Sequence, residues 1–293
     1  MTPTSTTTRT AVVVTGAAVL LPGADSVRAL VDGPDPVGAP VAPADLVGRK
    51  GLRYKDRATQ LAYALSAAGL RDAGLLDEDG LTVPATSTGI VASSNFGNLD
   101  TVARALDTIR EETVTATSPM DLPNASSNVI ASSAAIRFGL RGPNLMVCNG
   151  ETSGLDAVHW AVTMIAAGRA ERFLVLGVEP DNEVVRRLLG DRRSVDGGAA
   201  LVLESAVAAG ERSATVRAEV GAYRRGAGEP DGTGLRWELP RHLGVGSGAL
   251  GVLQVAAAVG RFDAGLREPV RAVTGGEGHD ACADLLLLAP QAA

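Results

Sequence analysis

Glu151 is the residue in this sequence best placed for chemistry. It follows Asn149-Gly150, a dipeptide that favours a tight turn, and precedes Thr152-Ser153-Gly154, which opens a long apolar pattern of helical type. A side chain at a helix start lies in the positive end of the helix dipole. That field stabilises a carboxylate by ~0.3–1 kcal/mol, and it favours a thiolate or an oxyanion in the same way. Other chemistry-bearing residues are few: three histidines, His159, His242 and His279, and two cysteines, Cys148 and Cys282. The cysteines offer neither a disulfide framework nor metal-ligand spacing, so no metal and no cofactor are expected. Cys148 ends an apolar run and reads as a small buried hydrophobe. His159, mid-helix between Val158 and Trp160, reads as an interior or interface residue.

Short apolar runs alternate with helical patterns along most of the chain. Strands are expected at Ala11–Val14, Gly89–Ala92, Asn144–Cys148, Phe173–Val178, Ala199–Leu203, Ala214–Val220 and Ala283–Leu288. Helices are expected over Asp25–Val31, from Asp56 to a stop at Gly74, from Asp100 to about Glu112, over Ile130–Phe138, from Glu151 to about Gly168, and over Gly246–Arg261. Pro34–Gly48 and Gly226–Gly234 read as loops. Such alternation is the mark of a layered α/β protein. Leu99, Val102, Leu106 and Ile109 recur at i, i+3, i+7 and i+10, which puts them on one helix face. That face fits core packing or the border of a cavity at a subunit interface.

The chain has 293 residues, a net charge of −6 and 3% aromatic residues, so the core must be built from Ala, Val, Leu and Ile. An acidic chain argues against a nucleic-acid partner, which calls for a basic patch. No run of 18 apolar residues is present, so no membrane span is expected. Residues 1–10 read as a flexible leader without a secretory pattern, and a cytoplasmic location follows as the expectation.

From Gly142-Pro143-Asn144-Leu145-Met146-Val147 into Thr152-Ser153-Gly154-Leu155-Asp156-Ala157, the sequence resembles the β-ketoacyl synthase family. Further segments match in the same order. They include Arg53 to Ala58, Thr88 to Val91 with Phe96-Gly97, Asp196 to Glu204, Arg241 to Gly251, and Gly278-His279-Asp280-Ala281. The resemblance implies a thiolase-like fold of two related βαβ halves in α-β-α-β-α layers, the C-terminal half shortened. It divides the chain into residues 11–205 and a reduced half at 206–293, within one integrated domain.

The departures from the family pattern bear on function. The resemblance puts Glu151 where the family has its acyl-accepting cysteine, whose thiolate the helix dipole would support. The interval Ser205–Arg241 lacks the family's catalytic histidine, Trp237 stands near the position of its lysine, and Gly276 replaces its phenylalanine gate. His242 is left as the match to the Gly-His motif, with a structural role at the start of the following helix as the plainer reading. Glu151 fits a plug in a vestigial acyl site or a helix-start acid. His279 fits a structural loop residue. The resemblance therefore implies a catalytically silent subunit, similar to a chain length factor, paired with an active ketosynthase and possibly meeting an acyl carrier protein. On that reading Asn144, Leu145, Met146 and Val147 form a strand shared across the dimer, and Leu99, Val102 and Leu106 line an acyl cavity. Two alternatives stand beside it: a malonyl-thioester decarboxylase or hydrolase using Glu151 and His242, and a carrier-protein docking scaffold.

Overall fold

The computed structural model describes residues 10–119, 121–226, 235–276 and 278–291. Among them are eight strands: β1 (Val12–Leu20), β2 (Thr88–Ser93), β3 (Asn144–Val147), β4 (Arg172–Glu179), β5 (Gly197–Ser205), β6 (Ala218–Gly226), β7 (Val270–Gly275) and β8 (Cys282–Leu288). The α-helices are α1 (Val27–Asp32), α2 (Pro43–Val47), α3 (Arg57–Asp72), α4 (Leu99–Glu111), α5 (Asp121–Asn124) and α6 (Val129–Phe138). They continue with α7 (Ser153–Ala166), α8 (Glu183–Leu188), α9 (Ala206–Glu211) and α10 (Leu250–Asp263).

All eight strands join one mixed sheet in the order β3-β2-β4-β5-β1-β6-β8-β7. β2 runs parallel to both β3 and β4, and the remaining pairs are antiparallel. β2 and β4 are buried along their whole length, which is why their sequences are continuous apolar runs rather than alternating ones. α3 and α6 pack on one face of this region around Leu61, Leu65, Ile130 and Leu174. α7 and α10 pack on the opposite face, with Leu155, Val158, Val252 and Val255 in the second core. β7 and β8 close over α7 and α10 from the far side, so these two helices are the inner layer. They touch where Gly154 meets Gly251. A Cβ on Gly154 would lie 2.7 Å from the Gly251 nitrogen, and any side chain there would force the helices apart.

Local signals account for the boundaries. The Asp56 carboxylate accepts from the Thr59 backbone N–H at 2.8 Å and starts α3. Gly74, at φ +69°, follows its end. Several expectations need correction. Pro43 begins a one-turn helix, α2, inside the stretch read as loop, since proline suits a first helical position. The strand expected at Ala214–Val220 is β6, shifted to Ala218–Gly226, where alternating polar residues hide the pattern. The helix read from Glu151 begins at Ser153. α5, α8, α9 and β7 were not expected. Residues 227–234 of the loop read at Gly226–Gly234, and residues 1–9 of the leader, lie outside the described residues. No helix among the described residues is long and apolar enough to cross a membrane.

Candidate functional site

The carboxyl ends of β2, β3 and β4 meet the starts of α7 and α10, and Glu151 sits in the turn between β3 and α7. Gly150, at φ +67°, takes the left-handed conformation that this tight turn requires. Asn95, just beyond β2, holds the turn: its side-chain amide donates to the Gly150 carbonyl and to Ser247 Oγ, both at 2.8 Å. The Ser153 hydroxyl lies 3.0 Å from Asn95 Oδ1 and accepts the Asn149 N–H at 2.6 Å.

A second anchor is Asp156, buried one turn into α7. It accepts from Asn149 Nδ2 and Thr152 Oγ1, each at 2.8 Å, and from the Tyr223 hydroxyl. Arg225 Nε lies 3.4 Å from it. Burial and the Asp156 carboxylate hold the Tyr223 phenol well above its ordinary range. His159 is half-buried and stacks on Tyr223 with ring centroids 4.2 Å apart.

The third anchor is Glu179, at the end of β4, with no exposed surface. Its oxygens accept from the backbone N–H groups of Asn95 (2.7 Å), Phe96 (3.0 Å) and Gly248 (2.9 Å), and from the Ser94 hydroxyl (2.8 Å). Burial pushes its carboxyl up to about 7, against the pull of those four donors. The sequence reading of β4 stopped at Val178 and missed it. The signal was an acid directly after the apolar run Phe173–Val178.

Glu151 opens onto a cavity of about 360 Å³ shared with Cys148, Arg225, His279 and Asp280. Cys148 is exposed there, contrary to the expectation of a buried hydrophobe, because β3 is the edge of the sheet and its end faces solvent. Partial burial, with Glu179 adding to it, raises the Cys148 thiol above its usual range and lowers its thiolate fraction. His242 is elsewhere: it is exposed on a 3-10 turn, Arg241–Leu243, and lines a different cavity. Glu151 and His242 are therefore not brought together. Trp237 packs into the core, and Gly276 takes φ +112°.

The expected interface residues divide. Asn144 is exposed, and Leu145, Met146 and Val147 are partly buried along the free edge of β3. On α4 the buried residues are Thr101 and Ala105. Leu106 is 61% exposed, Ile109 is exposed, and Leu99 and Val102 are partly covered, so this stripe is not core.

A model of the β-ketoacyl synthase N-terminal domain matches residues 43–192, which is just over half of the chain. The chain belongs to the β-ketoacyl synthase family. Among curated β-ketoacyl synthases, the 3-oxoacyl-[acyl-carrier-protein] synthase 2 of Vibrio harveyi is 30% identical over 46% of this chain and 32% of its own. The granaticin polyketide putative beta-ketoacyl synthase 1 of Streptomyces violaceoruber is 31% identical over 63% of this chain and 51% of its own. The chain thus spans about a third to a half of the length of these synthases. Its fold matches the ishigamide ketosynthase/chain length factor, with a TM-score of 0.78 at 20% identity over 96% of this chain and 100% of that one. It also matches a type II PKS acyl-carrier protein in complex with its ketosynthase, with a TM-score of 0.79 at 15% identity over the same shares. The layered α/β fold is therefore thiolase-like, as the resemblance implied, and the sheet is the single mixed one described above.

Proposed function

We propose that this chain is a catalytically silent, chain-length-factor-like subunit that pairs with an active β-ketoacyl synthase and shapes its acyl cavity. The observation that carries the reading is the composition of the cavity at the start of α7. A carboxylate, Glu151, stands in the turn where the family resemblance puts the nucleophile, and His242 lies in another cavity. A carboxylate is a weak, reversible nucleophile toward a thioester, and it repels an enolate anion forming beside it. Condensation and malonyl decarboxylation are both disfavoured at such a site.

Surface features support pairing. β3 is a free sheet edge, and its unpaired N–H and C=O groups call for a partner strand. Trp160 on α7, 44% exposed, and Leu106 and Ile109 on α4 are apolar and uncovered. Interfaces of obligate subunits commonly exceed ~2,000 Å² and are apolar at the centre. Within the reduced half of the chain, β7 and β8 then serve mainly to cover α7 and α10.

Co-expression with an active ketosynthase, followed by size exclusion and product analysis, tests the proposal. The expected outcome is co-elution, no acyl adduct on this chain from a labelled acyl thioester, and shorter products when Leu106→Trp narrows the cavity. Separate elution, an acyl adduct on this chain, or a product distribution indifferent to Leu106 counts against it.

A further inference from the structure

A second cavity, about 710 Å³ against about 360 Å³ for that at Glu151, shares no lining residue with it. Two loops build it: the segment after α8 that carries Arg192 and Arg193, and the stretch from Glu238 to Val245 ahead of α10. The loops are zipped together, with Val245 N–H donating to the Arg193 carbonyl at 2.9 Å and Val195 N–H to the Val245 carbonyl at 3.3 Å. Gly244 makes the close crossing possible, since a Cβ there would lie 2.6 Å from the Arg193 oxygen. Asp181 fixes the first loop by accepting from Arg193 Nε and the Ser194 N–H, both at 3.2 Å. On the inner wall Gln254 is held by Val273, whose N–H it accepts at 2.9 Å and whose carbonyl it meets at 2.8 Å. The frame is preformed.

Its chemistry is two-sided. Leu239, Val245 and Leu250 form an apolar wall, and Arg192, Arg241 and His242 stand on the rim. Arg193 is matched by Asp181. Among the described residues, neither Arg192 nor Arg241 has an ion-pair partner. Arg192 Nε donates to the Leu189 carbonyl at 3.1 Å. Among the described residues Glu238 is the one acid lining the cavity, and the cationic groups there outnumber it. Guanidinium groups match the geometry of a carboxylate, and an apolar wall beside them suits a hydrocarbon tail. The volume falls within the ~300–1,000 Å³ range usual for small-molecule sites.

We propose that this cavity binds a small organic carboxylate with an aliphatic tail, the carboxylate at Arg192 and Arg241 and the tail against Leu239, Val245 and Leu250. The inference is independent of the partner-subunit reading, because it uses neither Glu151 nor the β3 edge. Calorimetric titration of the full chain with octanoate, octanol and inorganic phosphate tests it. Octanoate is expected to bind at least tenfold more tightly than either of the others. The double variant Arg192→Gln/Arg241→Gln, made at exposed positions, should lose at least tenfold for octanoate, keep its weak octanol binding and leave Tm unchanged. Arg241→Glu should lose more. Equal binding of octanoate to wild type and double variant, octanol or phosphate binding as tightly as octanoate, or no octanoate binding overturns the proposal.

Discussion

Glu179 and Glu204 are both fully buried glutamates on neighbouring strands, at opposite ends of the β4–β5 pair, and their surroundings differ in kind. Glu204 faces Arg172 across the pair, accepts from Arg172, Arg212 and Thr15, and ends the sheet away from the site. Burial raises its carboxyl, but the arginines outweigh that and hold it below the usual range. Glu179 has three backbone N–H groups and one hydroxyl but no cation in its hydrogen-bonding shell, and it rises to about 7. One end is locked as a salt bridge. The other is titratable near neutral pH and lies beneath the turn that carries Glu151. Perturbed carboxyls cluster where a protein does its work, and this contrast points to the Glu179 end.

The largest expected effect breaks the Glu204 end. Glu204→Gln removes the charge that matches Arg172, whose side chain is itself only 5% exposed. Losing one partner of a buried pair costs about 3–5 kcal/mol, because the other charge stays buried. Urea unfolding at pH 7 measures this. A loss below about 1 kcal/mol means that Glu171 and Ser87 suffice to hold Arg172.

The second prediction sharpens the contrast by pH. The folded state keeps the Glu179 proton until pH reaches about 7, whereas an unfolded glutamate releases it near 4.5. The folded form thus binds more protons across this window, and its stability falls as pH rises. Between pH 5 and 8 the loss from this group is roughly 2–3 kcal/mol. Glu179→Gln should abolish that slope, seen as the difference in unfolding free energy between wild type and variant at the two pH values. An unchanged slope means the four donors keep Glu179 ionised throughout.

The same contrast shows what the sequence could reveal. The apolar runs at β2, β4 and β5 and the Asn149-Gly150 turn were legible because local pattern and tertiary role agree. β6 was misplaced because a strand with one face toward α7 and polar residues between carries a weak signal. Cys148 was read as buried because its run is apolar, and nothing in the run reveals that β3 is an edge. Glu179 was missed because its partners come from residues 94–96 and 248, far away in sequence. His242 was matched to the Gly-His motif and joined to Glu151 only in the enzyme alternative, and the 3-10 turn that carries it faces a different cavity.

The smallest effect expected concerns two serines with left-handed backbones, one near each glutamate. Ser213, at φ +54°, is exposed just after α9, beside Arg212. Ser247, at φ +39°, is buried, and its hydroxyl accepts from Asn95 at 2.8 Å while its neighbour Gly248 donates to Glu179. The left-handed region costs a non-glycine residue roughly 1–2 kcal/mol. At Ser213 a glycine removes that cost and takes the position glycine favours after a helix, so Ser213→Gly should stabilise by up to about 1 kcal/mol. Ser247→Gly gains the same relief but loses a buried hydrogen bond worth about 1 kcal/mol and some chain entropy, so its net effect should lie near zero. Ser247→Ala keeps the strained backbone and loses the acceptor, and should cost about 1–2 kcal/mol. Thermal unfolding of the three variants checks the order. Equal stabilisation by glycine at both positions means that the Ser247 hydroxyl contributes nothing to holding Asn95, and with it the turn at Glu151.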